Sequence, residues 1–390
     1  MNFNDTKTAF QTKSNWDLRN ALFLFTLINY PSVVKLFSTL TNFALKIRFP
    51  MGWIIKPTLY RQFVGGEKLE ECTETVSQLH NYGVDSVLDF SAEGGESHED
   101  IERAFNEVKR SIEFAQGKET IPYAVFKPTA MGNVKVLTKA SMEGVETLSP
   151  PELELLSQFK ERVFALCSEA HQRGVRILID AEHYCSQEII DRVVEEAMER
   201  FNGERAIVFQ TLQMYRTDRL DYLKRIYTES LEKGYRLGVK FVRGAYMEEE
   251  RELAAKGGYA DPIFPTKEGT DNSYDAALQF VIDHIDSIEL FSGTHNYESN
   301  YLLARLMEEG ELKRDDNRIF FSQLYGMSDN ISFKLAQEGF NVCKYLPYAP
   351  VKDVLPYLLR RAEENSSMQG QSSRELQLIK EEIKRRKAER

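Results

Sequence analysis

Short apolar runs rich in β-forming residues alternate with amphipathic helical stretches over most of this 390-residue chain. Eight runs stand out: "DSVLDFS" (85–91), "YAVFKPT" (123–129), "RILIDAE" (176–182), "AIVFQTL" (206–212), "GVKFVRGAY" (238–246), "IELFSGTHN" (288–296), "RIFFSQL" (318–324) and "NVCKYLP" (341–347). Between them, apolar residues recur three and four apart, as in "SQEIIDRVVEEAMERF" (186–201) and "YESNYLLARLMEEG" (297–310). Near-continuous apolar strands alternating with helices predict a parallel sheet covered on both faces. Eight such units in about 280 residues suit an α/β fold, the (β/α)8 barrel of the TIM type.

Polar residues gather at the carboxyl ends of these runs. Lys127 closes the second, Asp180 and Glu182 the third, Gln210 the fourth, Arg243 and Tyr246 the fifth. Thr294, His295 and Asn296 close the sixth, Gln323 the seventh and Tyr345 the eighth. Barrel enzymes build their active sites at that end, from several strands at once. One polar strand exit means little, but a nearly complete ring of them predicts a catalytic mouth.

Residues 1–80 read as a helical arm, 81–365 as the barrel and 366–390 as a charged helical tail. In the arm, "ALFLFTLINYPSVVKLFSTLTNFALKIRF" is strongly apolar. Asn29, Pro31, Lys35, Ser38 and Asn42 interrupt it before any run reaches the roughly 18–20 residues needed to span a bilayer. It is read as two amphipathic helices packed on the protein. The tail "RELQLIKEEIKRRKAER" puts Leu376, Ile379 and Ile383 on one side and reads as a loosely packed, solvated helix. A basic anchor at an anionic membrane surface is the alternative.

Composition narrows the function. Hydrophobic residues make up 42% of the chain and charged residues 28%, enough apolar material for a sizeable core. The net charge of −10 argues against a nucleic-acid surface. Four dispersed cysteines, Cys72, Cys167, Cys185 and Cys343, form no CxxC pair, which points to a reducing compartment. Six histidines, none in HxH or HExxH spacing, give no histidine-rich metal site. The polar, acid-containing N-terminus is not a cleavable signal or transit peptide, so a cytoplasmic protein is expected. Peripheral contact with the inner membrane stays open.

The stretch "KYLPYAPVKDVLPYLLRRAEEN" (344–365) carries the sharpest chemistry. A helix with Asp353 as N-cap and Pro356 in its first turn places Tyr357, Arg360, Arg361 and Glu364 on one face. Two adjacent guanidiniums suit bidentate capture of a carboxylate, with Lys127 as a third cation. The residues alone imply a barrel enzyme acting on a small carboxylate. A Schiff-base lyase using Lys127, a metal-dependent hydrolase using Asp180, His183 and His295, and a flavin oxidoreductase all stay open. No GxGxxG follows a strand, so any dinucleotide lies outside a Rossmann unit.

This stretch, with "ILIDAEHY", "KFVRGAYMEEER", "GTHN" and "LYGM", resembles the proline dehydrogenase family from about Phe63 to Asn365. With no aldehyde dehydrogenase domain following, the resemblance is to the monofunctional type. It implies oxidation of L-proline to 1-pyrroline-5-carboxylate, with hydride passing from ring C5 to N5 of FAD and electrons on to a quinone. A pyrroline-5-carboxylate dehydrogenase would act next. By matching position, Arg360, Arg361 and Lys127 would hold the substrate carboxylate. Leu324, Tyr345, Tyr357 and Tyr246 would wall its ring, and Asp180 would lie under the flavin, linked to Lys127. Gln210, Lys240, Arg243, Thr266, Thr294, His295 and Asn296 would line FAD. Glu364 would hold the arginine pair or the ribityl chain. Where bifunctional bacterial members carry arginine and tryptophan, this chain has Lys240 and Met247. Arg61 stands where an acidic partner of the arginine pair is expected.

Overall fold

The computed structural model describes residues 1–30, 32, 33, 39, 55–92, 97–367 and 371–389. Eight parallel strands follow one another in chain order and close into a barrel. They are β1 (Val84–Phe90), β2 (Tyr123–Phe126), β3 (Arg176–Ile179), β4 (Val208–Gln213), β5 (Leu237–Val242), β6 (Ile288–Gly293), β7 (Ile319–Leu324) and β8 (Val342–Tyr348). Each expected run overlaps one of them, with β1, β4, β5 and β8 each reaching a residue past the run at one end, and the (β/α)8 fold follows. By packing, the chain divides into two compact units, Gly95–Ser322 and the remainder, Met1–Gly94 with Gln323–Arg390.

In the Gly95–Ser322 unit, helices form where apolar stripes and caps coincide. The helix Pro150–Arg173 shows both ends of the logic. A capping box of Ser149 and Glu152 starts it, with proline at its first positions, and Gly174 ends it in the left-handed conformation. The inner face of the sheet is fixed by ring contacts. Tyr123 of β2 meets Phe209 of β4 at 5.3 Å, Phe291 of β6 at 4.9 Å and Phe320 of β7 at 5.2 Å between centroids. Strands that are not neighbours can meet this way only through the barrel's interior. Arg176, at the start of β3, covers Tyr123 and Phe320 and pairs with Glu289 at 2.8 Å. Glu289 in turn accepts from the Ala206 backbone N–H, so the carboxylate of this buried pair has a second donor. Tyr123, Arg176 and Glu289 all stand at or next to the first residue of their strands. The amino-terminal end is therefore a packed floor.

In the other unit, β1 and β8 pair in register from Val84↔Val342 to Phe90↔Tyr348. The arm helix Asn15–Ile28 opens with a Ser14–Asp17 capping box. It buries Leu18, Ala21, Leu24, Phe25 and Ile28 in a cluster with Val354, Leu355, Tyr357, Leu358, Leu378 and Ile379. The second apolar helix expected in the arm lies outside the described residues. The tail helix Gln371–Ala388 contributes Leu378 and Ile379 to that cluster, so it is core rather than a solvated appendage. Glu375 and Glu382 are also buried, and Arg386 donates to the Phe10 and Lys13 carbonyls. A polar residue within a helix stripe reads as solvent-facing, which is why the sequence pattern hid this docking.

Among the described residues, no helix is long and apolar enough to cross a membrane, and no cluster of His, Cys, Asp or Glu could hold a metal.

Candidate active site

Strand periodicity decides which polar side chains of the Gly95–Ser322 unit enter the barrel. With Phe209 inward, Thr211 and Gln213 of β4 also face inward, and Gln210 faces out. Contacts agree: Gln210 donates to Asp191 of the surrounding helix Tyr184–Phe201 at 2.8 Å. Asp191 also accepts from Gln187 at 2.7 Å and Arg219 at 2.7 Å, making a buried network in the helix layer. Gln210, expected beside the cofactor, thus serves that network. Gln213 is the glutamine that sequence reasoning missed. It sits three residues on, at the strand exit, and is buried with an amide oxygen that has no partner among the described residues. Thr211 Oγ1 is buried in the same state.

Lys240 of β5 is in register with Thr211 and with inward-facing Phe291. Its Nζ lies 2.5 Å from Asp180 Oδ1, just beyond β3, with the two side chains only 6% and 15% exposed. Lys127 follows β2, and the next residues turn into a short 3-10 segment, Pro128–Met131. Thr129 there donates from its backbone N–H and its hydroxyl to Glu182, at 2.9 and 2.7 Å. Burial raises the Glu182 carboxyl above its ordinary range against those bonds and the charge of Lys127.

Arg243, after β5, donates to Thr294 Oγ1 at 2.5 Å and Ser299 Oγ at 2.9 Å, and pairs with Asp271 at 2.8 Å. Its guanidinium lies 4.5 Å from the Tyr274 ring centre. Burial opposes ionisation of Asp271, yet Lys267 and Arg243 hold its carboxyl below the usual value. Gly244 follows with φ +127°, where a Cβ would stand 2.5 Å from the Tyr215 ring, so the turn toward Tyr246 needs glycine. The Tyr246 ring packs at a tilt against His183, 4.5 Å between centroids, and His183 bonds to Glu249 at 2.9 Å. Thr266 caps the helix Lys267–Asp283 by accepting from Gly269 N–H. Asn296 caps Tyr297–Glu309 by accepting from Ser299 N–H, with His295 just before it. Helix N-termini and cations at one strand end suit phosphate and a reduced flavin. The inward Thr211 and Gln213 oxygens add hydrogen-bond capacity, so these residues fit a flavin nucleotide.

The other unit holds the arginines. The helix Val351–Ser367 starts two residues before the expected cap, placing Asp353 and Pro356 inside it. Pro350 supplies the turn: its carbonyl accepts from Asp353 and Val354 N–H. Tyr357 is buried, with Arg361 5.3 Å above its ring, and Arg360 and Arg361 are half-buried. The Glu364 side chain is outside the described residues. Tyr345 of β8 is buried, and Leu324 at the end of β7 packs against the cluster around Tyr357. Arg61 pairs with Asp17 at 3.0 Å and covers Trp16 at 4.7 Å, so the arm supplies its acid.

A closed eight-stranded barrel with this polar ring is an enzyme scaffold. The family model described as "Proline dehydrogenase" matches residues 72–374. A carbapenem biosynthesis protein, CarD, of Pectobacterium carotovorum is 37% identical over 324 residues, 83% of each chain. A hydroxyproline dehydrogenase of Xenopus laevis is 30% identical over 97% of this chain and 89% of its own. The fold resembles proline utilization A from Bdellovibrio bacteriovorus, with TM-score 0.72 and 19% identity over 82% of this chain. This chain spans 34% of that one. The chain belongs to the proline dehydrogenase family, and it is an enzyme of that class.

Proposed function

We propose that this enzyme oxidises L-proline to 1-pyrroline-5-carboxylate with FAD as cofactor and a quinone as electron acceptor. The observation that carries the reading is the helical face on which Arg361 stacks over buried Tyr357 beside Arg360. Arg360 and Arg361 take the substrate carboxylate, with Lys127 as a further cation. Tyr345, Leu324 and Tyr357 form the ring wall, and Tyr246 stands at the mouth of the other unit. Bound FAD supplies the acceptor for a hydride from ring C5. Lys240, Arg243, Thr266, Thr294, His295 and Asn296 line its site, and Gln213 replaces Gln210 in that set. Asp180 holds Lys240 in place, and Glu364 is assigned to the arginine pair or the ribityl chain. The Tyr345 phenol disfavours an added ring hydroxyl, so proline is preferred to hydroxyproline. A pyrroline-5-carboxylate dehydrogenase consumes the product, and the acceptor quinone is reached from a membrane surface.

The purified protein should be yellow and should bleach when L-proline is added without air. A protein that stays colourless and gains no proline-dependent dye reduction with added FAD sinks the reading.

The two glutamines separate by phenotype. Gln213→Leu should lower flavin affinity about tenfold or more with little loss of stability, since a lost hydrogen bond to a ligand costs about 1.5 kcal/mol. Gln210→Leu should instead lower the melting temperature and leave flavin content near parental, because Asp191 loses a buried donor. Flavin content and thermal melts of both variants check the assignment.

A further inference from the structure

Lys344 presents a buried charge with no place in the chemistry above. It lies on β8 next to Tyr345, and side chains alternate along a strand, so its ammonium points to the side away from that phenol. There it is fully buried and contacts Asp329 at 2.8 Å, the Met327 carbonyl at 2.6 Å and the Leu324 carbonyl at 3.4 Å. Leu324 ends β7, Met327 lies in the loop leaving it, and Asp329 is the first residue of the helix Asp329–Gln337.

The loop is held from every side. Tyr325 N–H donates to the Tyr345 carbonyl at 2.9 Å, and Gln62 Nε2 donates to the Gly326 carbonyl at 2.7 Å. Gly326 has φ +80° and would place a Cβ 2.0 Å from the Gln62 carbonyl, so the arm lies directly on it. Ser328 is left-handed at φ +50°, a conformation that persists in a non-glycine residue only when its surroundings enforce it. One enforcing contact comes from the far end of the chain: Glu375 of the tail helix accepts from Ser328 N–H at 3.3 Å. Lys13 of the arm faces Asp329 at 3.8 Å, completing two cations against two carboxylates.

We propose that Lys344 and Glu375 are positioning residues, which fix the β7 loop and through it the placing of Leu324 and Tyr345 against the substrate ring. The inference rests on the proline reading given above. Burying an ammonium among backbone carbonyls behind a strand is costly, and an apolar side chain would pack there at less cost. The lysine specifies one geometry for the loop. The tail helix is thereby part of the catalytic unit.

The test uses the full-length enzyme with Glu375→Ala, Glu375→Gln and, as a control on the exposed face, Lys380→Ala. Glu375→Ala should raise the KM for L-proline about tenfold with kcat within about threefold, the signature of lost ground-state binding. Amide exchange at residues 326–329 should accelerate about tenfold, while amides of β3–β6 keep their protection. Glu375→Gln keeps an acceptor for Ser328 and should restore both values, and Lys380→Ala should match the parent.

Glu375→Gln also carries a pH signature. Asp329, Lys344, Lys13 and the Ser328 N–H face Glu375, and burial pushes its carboxyl up to about 7. The folded protein thus keeps a proton that the unfolded chain has released, so this group costs stability as pH rises from about 4.5 to about 7. Glu375→Gln should therefore flatten that fall in melting temperature relative to the parent. Parental turnover of proline combined with unchanged KM and exchange in Glu375→Ala overturns the positioning role. A parent that does not oxidise proline overturns the functional reading instead.

Discussion

Arg360→Ala is expected to raise the KM for L-proline by about 100-fold, with a smaller fall in kcat. Truncating one partner of a buried, hydrogen-bonded charge pair costs about 2–5 kcal/mol, and each 1.4 kcal/mol is tenfold in affinity. Arg360 lies half-buried on the helix Val351–Ser367, beside an arginine already engaged with Tyr357. The Arg361 guanidinium is held over the Tyr357 ring, so one half of the clamp is in place before the carboxylate arrives. Arg360→Lys tests the geometry separately: it keeps the charge and loses the planar fork, so its KM should fall between those of the parent and Arg360→Ala. Steady-state kinetics with an artificial acceptor decide the matter. Parental KM in Arg360→Ala would place the carboxylate elsewhere.

Lys240→Met should be the most damaging single change in the Gly95–Ser322 unit. Its partner Asp180 is 2.5 Å away and 15% exposed, so removal of the cation takes a close opposite charge from a largely buried carboxylate at the barrel's inner wall. Breaking a buried pair from one side costs about 3–5 kcal/mol. Chemical denaturation should show that loss, and flavin content should fall with it. The double variant Lys240→Met/Asp180→Leu separates structure from function. Replacing both charges by apolar side chains should recover most of the stability, because the pair's attraction largely offsets its desolvation. Flavin content and proline turnover should not recover with it. A double variant that regains activity would make the pair a packing device.

All eight strands were legible because each is apolar, short and followed by a helix-period stretch, and no tertiary effect competes with that pattern. The site was legible in composition and less so in direction. Gln210 and Gln213 are both polar, and only the inward register of Phe209 shows which one enters the barrel. The start of the helix at Val351 instead of after Asp353 has a similar cause. Asp353 is a good N-cap and Pro356 a good first-turn residue, yet the Pro350 carbonyl already starts the helix. Pro356 then falls where the Lys352 carbonyl loses its usual donor, a cost the buried faces of Val354, Leu355 and Leu358 offset. Lys344 and Glu375 were invisible for a third reason. Their meaning lies in the loop they both hold, and no local period encodes a contact such as that of Glu375 with Ser328, 47 residues away along the chain.

The packed floor formed by Tyr123, Phe209, Phe291, Phe320 and the Arg176–Glu289 pair has a consequence for traffic. A barrel plugged at one end is a cul-de-sac. The floor seals the amino-terminal side of the Gly95–Ser322 unit, so molecules reach that unit's polar groups and leave them at its strand exits. Exchange of product for fresh substrate is then a matter of turns taken at one doorway. Mutations that widen or narrow the rim should change turnover, while changes to the floor register only as stability.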